Sequence, residues 1–171
     1  MSLDEMLRRV EEAKKVSGVP VIPEAKTNNA LWVDVREVRL RYTISIDRIK
    51  EFFDALSEGK ILATKCKSCG QLYFPPQADC SKCRKGDMKW VDLPREGKLI
   101  TYTMINVKPS SFAHYEDYIV GIAELENGIK VLAWVREKDP KKLRVGQRVK
   151  LEVVRRQPEN YFVYEIVPIR E

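Results

Sequence analysis

A single histidine, His114, is present in 171 residues. It stands in the stretch SSFAHYEDY, outside any recognisable nucleophile motif, and reads as a solvated loop residue beside exposed Glu116 and Asp117. The chain also lacks GxGxxG, a Walker-type phosphate loop, HExxH and GxSxG, so the usual frameworks for dinucleotide, nucleotide, zinc-protease and serine-hydrolase chemistry are missing. No apolar run approaches the roughly 18 residues that cross a bilayer, and the N-terminus alternates charge with hydrophobe instead of forming a signal-peptide core. A cytoplasmic, non-membrane protein is expected, without internal repeats or low-complexity tracts.

The residues that are present suffice for folded modules. Hydrophobic residues make up 44% and charged residues 33%, enough apolar surface for a core. The length suits one ordinary domain plus an appendage, since domains usually run to about 100 to 150 residues. The formal net charge is +6, and four thiolates on one divalent cation would leave +4. That modest basic excess favours phosphate-bearing ligands without choosing among them.

Cysteine is scarce and concentrated. All four lie between positions 66 and 83, as Cys66-x2-Cys69 and Cys80-x2-Cys83 separated by ten residues. In an intracellular chain this pattern fits metal better than disulfides. Each knuckle presents two sulfurs to one ion, and four thiolates complete a tetrahedron with no open position, so a structural Zn2+ is expected. Iron in a rubredoxin-like site would use the same ligands. Gly70 suits the knuckle turn, Leu72 to Phe74 read as the first ribbon strand, and Pro75 and Pro76 end it.

Along the chain, Leu3, Met6, Leu7, Val10, Ala13 and Val16 trace an amphipathic helix that Gly18 and Pro20 stop. Residues 18–30 read as a loop without regular structure. Alternation over 38–44 predicts a strand, Ser45 an N-cap, and Ile46, Ile49, Phe52, Phe53 and Leu56 a helix over about 46–58. After the cysteines come five strand-like segments, near 97–107, 118–125, 129–136, 148–155 and 161–167. Asn127-Gly128 supplies a tight turn between the second and third, and a helical turn is expected between the third and fourth. Five strands in this order suit an OB barrel. The fold class is therefore mostly β with N-terminal helices, a rubredoxin-like zinc ribbon followed by a five-stranded OB-fold barrel. The expected divisions are 1–59 (helical and extended), 60–93 (ribbon) and 94–171 (barrel).

The order of EFFDALSEGK, ILATKCKSCGQLYFPPQADCSKC, MKWVDLPREGKLITYT, YIVGIAEL and IKVLAWV resembles a zinc-ribbon plus OB-fold family long described as a domain of unknown function and linked to acyl-CoA metabolism. Tyr73-Phe74-Pro75-Pro76, Gly97 with Tyr102, and the turn at Gly146 carry the resemblance, which runs from about Ile46 to Val167. It implies a non-catalytic partner of a thiolase-fold enzyme. In archaea such proteins join acetoacetyl-CoA thiolase and hydroxymethylglutaryl-CoA synthase of the archaeal-type mevalonate pathway, and in some bacteria related domains accompany sterol-side-chain hydratases and aldolases. It also implies binding of coenzyme A or acyl-CoA.

Coenzyme A carries phosphates and a flexible arm, so its binder needs basic groups beside an apolar groove. Lys108, Arg136 and Arg155 are the candidate contacts, with Lys130 and Arg156 beside them. The N-terminal helix and the Phe52, Phe53 face are the candidate docking surface for the partner. Two other readings stay open: a single-stranded nucleic-acid module that stacks bases on Tyr102, Trp134, Tyr161 or Tyr164, and an autonomous enzyme.

Overall fold

The computed structural model describes residues 2–34 and 41–169. It divides into two compact units, Met1–Ile44 and Ser45–Glu171.

In the first unit α1 spans Leu3–Ser17. The Ser2 hydroxyl accepts from the Glu5 backbone N–H at its start, and Gly18, in the left-handed region at φ 75°, closes it with a bond to Lys14 O. A non-glycine residue would be strained there. Its apolar stripe buries Val10, and Ile22 is the other buried side chain among the described residues of this unit. The stretch expected to be an irregular loop instead contributes a short hairpin, β1 (Val21–Pro23) against β2 (Ala30–Trp32). Asn28, at φ 59°, lies in the reversal between them, and asparagine tolerates that conformation. Residues 38–40 of the strand expected over 38–44 lie outside the described residues, and 41–44 carry no strand.

The second unit opens with a 3-10 turn, Asp47–Ile49, before α2, Lys50–Ser57. Neither start has a side-chain cap hydrogen bond, so Ser45 does not serve as the expected N-cap and the α-helix starts later than its apolar periodicity suggests. Phe52, Ala55 and Leu56 turn inward. Phe53, one residue round the helix from Phe52, remains 44% exposed.

The ribbon follows as a three-stranded antiparallel sheet. Its central strand is β3 (Leu62–Cys66), flanked by β4 (Leu72–Tyr73) and β5 (Met88–Asp92). β3, not Leu72–Phe74, therefore begins the ribbon. The hydroxyl of Thr64, the one buried polar side chain among the described residues, donates to Gln77 O at 3.0 Å and accepts from Gln77 N at 2.9 Å. That reciprocal pair satisfies the buried hydroxyl and ties the sheet to the second knuckle's approach.

The barrel comprises β6 (Glu96–Ile105), β7 (Tyr118–Leu125), β8 (Lys130–Val135), β9 (Arg148–Arg156) and β10 (Tyr161–Pro168). It closes in the order β10-β8-β7-β6-β9, the five-stranded OB arrangement. Pairing is antiparallel except for β8 with β10, which run parallel. The register of β6 on β7 shifts between Leu99 and Thr101, a bulge that leaves Ile100 exposed while Leu99 is fully buried. A Cβ on Gly97 would lie 2.2 Å from Glu124 O, so the closest approach of β6 to β7 requires glycine. The expected helical turn between the third and fourth barrel strands is present at Pro140–Lys142, N-capped by Asp139.

Alternation fills the barrel. Ile119, Ala123 and Leu125 from β7, Val131, Ala133 and Val135 from β8, Val149 and Leu151 from β9 and Ile166 from β10 point inward. They form one continuous cluster with Phe52 and Leu56 of α2 and with Ile61, Ala63 and Leu93 around the ribbon. Helix, ribbon and barrel thus share a core.

Candidate metal centre and apolar groove

The two knuckles are built alike. In the first, Gly70 N donates to Cys66 O (2.9 Å) and Cys66 N to Gln71 O (2.9 Å). In the second, Arg84 N donates to Cys80 O (2.8 Å) and Cys80 N to Lys85 O (2.9 Å). Both turns need positive φ, supplied by Gly70 at 74° and by Arg84 at 57°. The Sγ atoms of Cys66, Cys69, Cys80 and Cys83 lie within 4.8 Å of one another, with Cys66–Cys83 and Cys69–Cys80 each 3.5 Å apart. Sulfurs about 2.3 Å from a central ion and arranged tetrahedrally would be separated by slightly less than 4 Å, so the donor set and its spacing fit a four-coordinate zinc.

Tyr73 supports the cluster from β4. Its hydroxyl lies 3.2 Å from Cys80 Sγ and 3.1 Å from Ser81 Oγ, and accepts from Lys82 N at 3.3 Å. The Tyr73 hydrogen bond is the leading cause that draws the Cys80 thiol down to about 6. Arg48 clamps the second knuckle from the helical lead-in, donating to both oxygens of Asp79 (2.7 and 2.9 Å) and to Ala78 O (3.0 Å).

A second feature lies between α2 and the barrel. β8 and β10 meet only in the register Val135–Ile166, and ahead of it they diverge. The space between them is an open groove of about 630 Å³ walled by Phe52 and Phe53, by Leu132 and Trp134, and by Phe162 and Tyr164. Leu132 is 63% exposed and Tyr161 50%. Phe74, next to the ribbon strand β4, stands edge-on between Phe52 (6.0 Å between centroids) and Tyr164 (5.2 Å). The groove wall is thereby braced by the ribbon.

The expected phosphate contacts are not gathered at one place. Lys108 pairs with Asp117. Arg136 is held between Glu152 (2.7 Å) and Glu165 (3.1 Å). Arg155 lies over the Phe162 ring, 5.7 Å from its centroid, and its Nε donates to Asn160 O at 3.4 Å. No carboxylate pairs with it among the described residues. Arg156 lines the groove, sits 3.8 Å from the Trp134 ring centroid, and has a buried Nε with no hydrogen-bond partner.

The aromatic residues divide as well. Tyr102 donates to Leu143 O at 2.9 Å and supports the barrel. Trp134 is stacked by Tyr118 at 4.0 Å, and Tyr115 and Phe112 of the β6–β7 loop pack around it. His114 lies 3.4 Å from Glu159 of the β9–β10 turn, which also accepts from the Tyr115 hydroxyl. Leu132 and Phe162 were not singled out by sequence reasoning. The available signal was the unbroken apolar run Val131–Val135, which puts Leu132 and Trp134, two apolar residues, on the outer face of β8.

Comparison with known proteins agrees with this architecture. Residues 53–89 match a family model described as the ChsH2 rubredoxin-like zinc ribbon domain, and residues 90–154 match the ChsH2 C-terminal OB-fold domain. A DUF35 domain-containing scaffold protein of Methanocaldococcus jannaschii is 33% identical over 90 residues, covering 52% of this chain and 64% of that protein. Its namesake from Methanothermobacter thermautotrophicus is 30% identical over 92 residues, covering 53% and 69%. The match thus takes in about two thirds of the length of these relatives. A probable enoyl-CoA hydratase alpha subunit of Thermomonospora curvata is 26% identical over 121 residues, 70% of this chain and 38% of its own. Among solved structures, a chain of the Ltp2-ChsH2(DUF35) aldolase superposes with a TM-score of 0.62 at 23% identity, covering 75% of this chain and 98% of that one. A DUF35 protein of unknown function from Sulfolobus solfataricus gives 0.51 at 15%, covering 99% and 100%. These two show the fold. With knuckles, ribbon sheet and closed barrel in the order the family model requires, the chain belongs to the DUF35 family of zinc-ribbon and OB-fold proteins.

Proposed function

We propose that this chain is a non-catalytic scaffold subunit that binds an acyl-CoA and partners a thiolase-fold enzyme of the acetoacetyl-CoA thiolase or hydroxymethylglutaryl-CoA synthase type. Cys66, Cys69, Cys80 and Cys83 hold a structural zinc. The carrying observation is the pairing of a closed sulfur cage with an open aromatic groove, Phe53, Leu132, Tyr161 and Phe162 among its exposed residues. A metal with all four positions taken by protein leaves none for substrate, whereas an exposed aromatic groove is a binding surface. Relatives named as scaffold proteins support the reading, as does one named for an enoyl-CoA hydratase subunit. Zinc would supply cross-linking here; the protein's own part is to orient the thiolates through Tyr73 and the knuckle amides.

Of the three cations named for coenzyme A, Arg155 is the one free of carboxylates among the described residues. Lys108 and Arg136 would have to exchange an acidic partner for phosphate. The nucleic-acid reading is weakened by Trp134, whose ring is already stacked by Tyr118 and capped by Arg156, leaving it poorly placed to stack a base.

Two measurements test the proposal. Acetyl-CoA should raise the melting temperature of the purified chain, by mass action on the folded state, and a tagged copy expressed in its native host should co-purify with a thiolase-fold enzyme. Tight, steeply salt-dependent binding of single-stranded oligonucleotides without any CoA-induced shift would reject it.

A further inference from the structure

The groove also exposes strand edges. Arg136 N donates to Ile166 O at 2.8 Å, so on β8 the even-numbered residues direct their backbone groups toward β10 while the odd-numbered ones serve β7. By that alternation, Leu132 turns its N–H and C=O into the groove, ahead of the single Val135–Ile166 register in which the two strands meet. On β10 the odd-numbered residues serve β9: Ile169 N, just beyond the strand, donates to Arg148 O at 3.0 Å. Phe162 and Tyr164 therefore face the same gap. Two strand edges border one apolar slot and pair with each other nowhere along it.

Unpaired edges beside an apolar slot are what an extended peptide recognises, main chain for affinity and alternate side chains for specificity. The slot is also basic at one end. Among the described residues Arg155 has no acidic partner, and Lys130, two residues before Leu132 on the same face of β8, has no ion pair, whereas Arg156 is 3.9 Å from Glu165.

We infer that the groove takes an extended segment of a partner protein. The segment adds as a strand along the edge at Leu132, seats apolar side chains at alternate positions against Phe53, Phe162 and Tyr164, and presents an acidic residue to Arg155. This deepens the scaffold reading above and rests on it: the groove is the handhold, whichever enzyme supplies the strand.

The test uses the full chain and a displayed library of random twelve-residue peptides, followed by titration of a selected synthetic peptide into isotopically labelled protein. Selected sequences should alternate apolar and polar positions and include Asp or Glu. Binding should slow amide exchange at Leu132, Phe162 and Tyr164, weaken at least tenfold in Arg155→Glu, and disappear in Leu132→Pro, which removes the groove-facing donor and leaves the β7 ladder in place. Should Leu132→Pro fail to fold, Arg155→Glu and Phe53→Ser carry the test.

Failure to select any peptide, selection of helical i, i+4 spacing, protection of other amides, or indifference to Arg155→Glu would each overturn the proposal. So would displacement of the peptide by acetyl-CoA with protection of the same three amides, or self-association through this face seen by sedimentation. Peptide binding without a thiolase-fold enzyme in the pull-down would leave the groove proposal standing and remove the partner assignment instead.

Discussion

The hydroxyl of Tyr73 lies 3.2 Å from the sulfur of Cys80, holding a knuckle seven residues ahead in the chain from the edge strand of the ribbon. Groups that orient metal ligands typically contribute about 10- to 100-fold to metal affinity. Tyr73→Phe keeps the ring and removes that bond together with those to Ser81 and Lys82. Zinc affinity should fall by roughly tenfold or more, read by competition with a chromophoric chelator, with the cysteine thiols otherwise intact.

Loss of the ion should do more. Apparent zinc binding energies in small modules are about 10 to 16 kcal/mol, most of it folding energy. Cys80→Ser, or chelation under mild denaturant, should unfold the ribbon and lower the cooperative melting temperature of the whole second unit, because Ile61, Ala63 and Leu93 share the barrel's core. A variant that melts unchanged by calorimetry would contradict the metal assignment.

Barrel packing makes two separate predictions. Leu99 is fully buried, and Leu99→Ala should cost about 2 to 5 kcal/mol in urea denaturation. Gly97→Ala acts by the opposite mechanism. Its new methyl group would meet the Glu124 carbonyl at 2.2 Å and neighbouring backbone atoms within 2.9 Å, so it should destabilise by about 1 to 3 kcal/mol through overpacking while leaving zinc content unchanged.

The β6–β7 loop predicts an alkaline effect. Burial, and then the hydrogen bond to Glu159, push the Tyr115 phenol up to about 12 from a usual value of 10. A group whose folded-state value is raised adds stability that is complete below its unfolded value and disappears as pH rises through the folded one. Stability should therefore decline between pH 10 and 12, and Tyr115→Phe should flatten that decline. Absorbance titration should show late-ionising tyrosine, to which buried Tyr164 also contributes, and the part due to Tyr115 should vanish in the variant.

Periodicity made much of this molecule legible. The inward positions of β7 and β8 alternate cleanly, and the helix from Leu3 ends at the glycine that its C-cap conformation requires. The hairpin Val21–Trp32 escaped because its strands are three residues long, too short to show a period. β3 was hidden for another reason: Ala63 and Thr64 are consecutive and both buried, which breaks the period of two. The cysteine spacing specified the cluster completely, whereas the surroundings of the basic residues were not legible. Arg136 is neutralised by carboxylates 16 and 29 positions away, and no sequence window reveals such pairing. The groove was equally hidden, since it arises where two strands distant in sequence part company.

Phe74 has one neighbour at each end of the molecule's business: it follows the zinc ribbon's edge strand and props the aromatic wall formed by Phe52 and Tyr164. Its footing is the sheet that the ion cross-links. On the proposed scaffold role, metal supply would then govern more than folding, because a cell starved of zinc would loosen the aromatic wall, and a partner enzyme held there would be uncoupled without any change to its own active site.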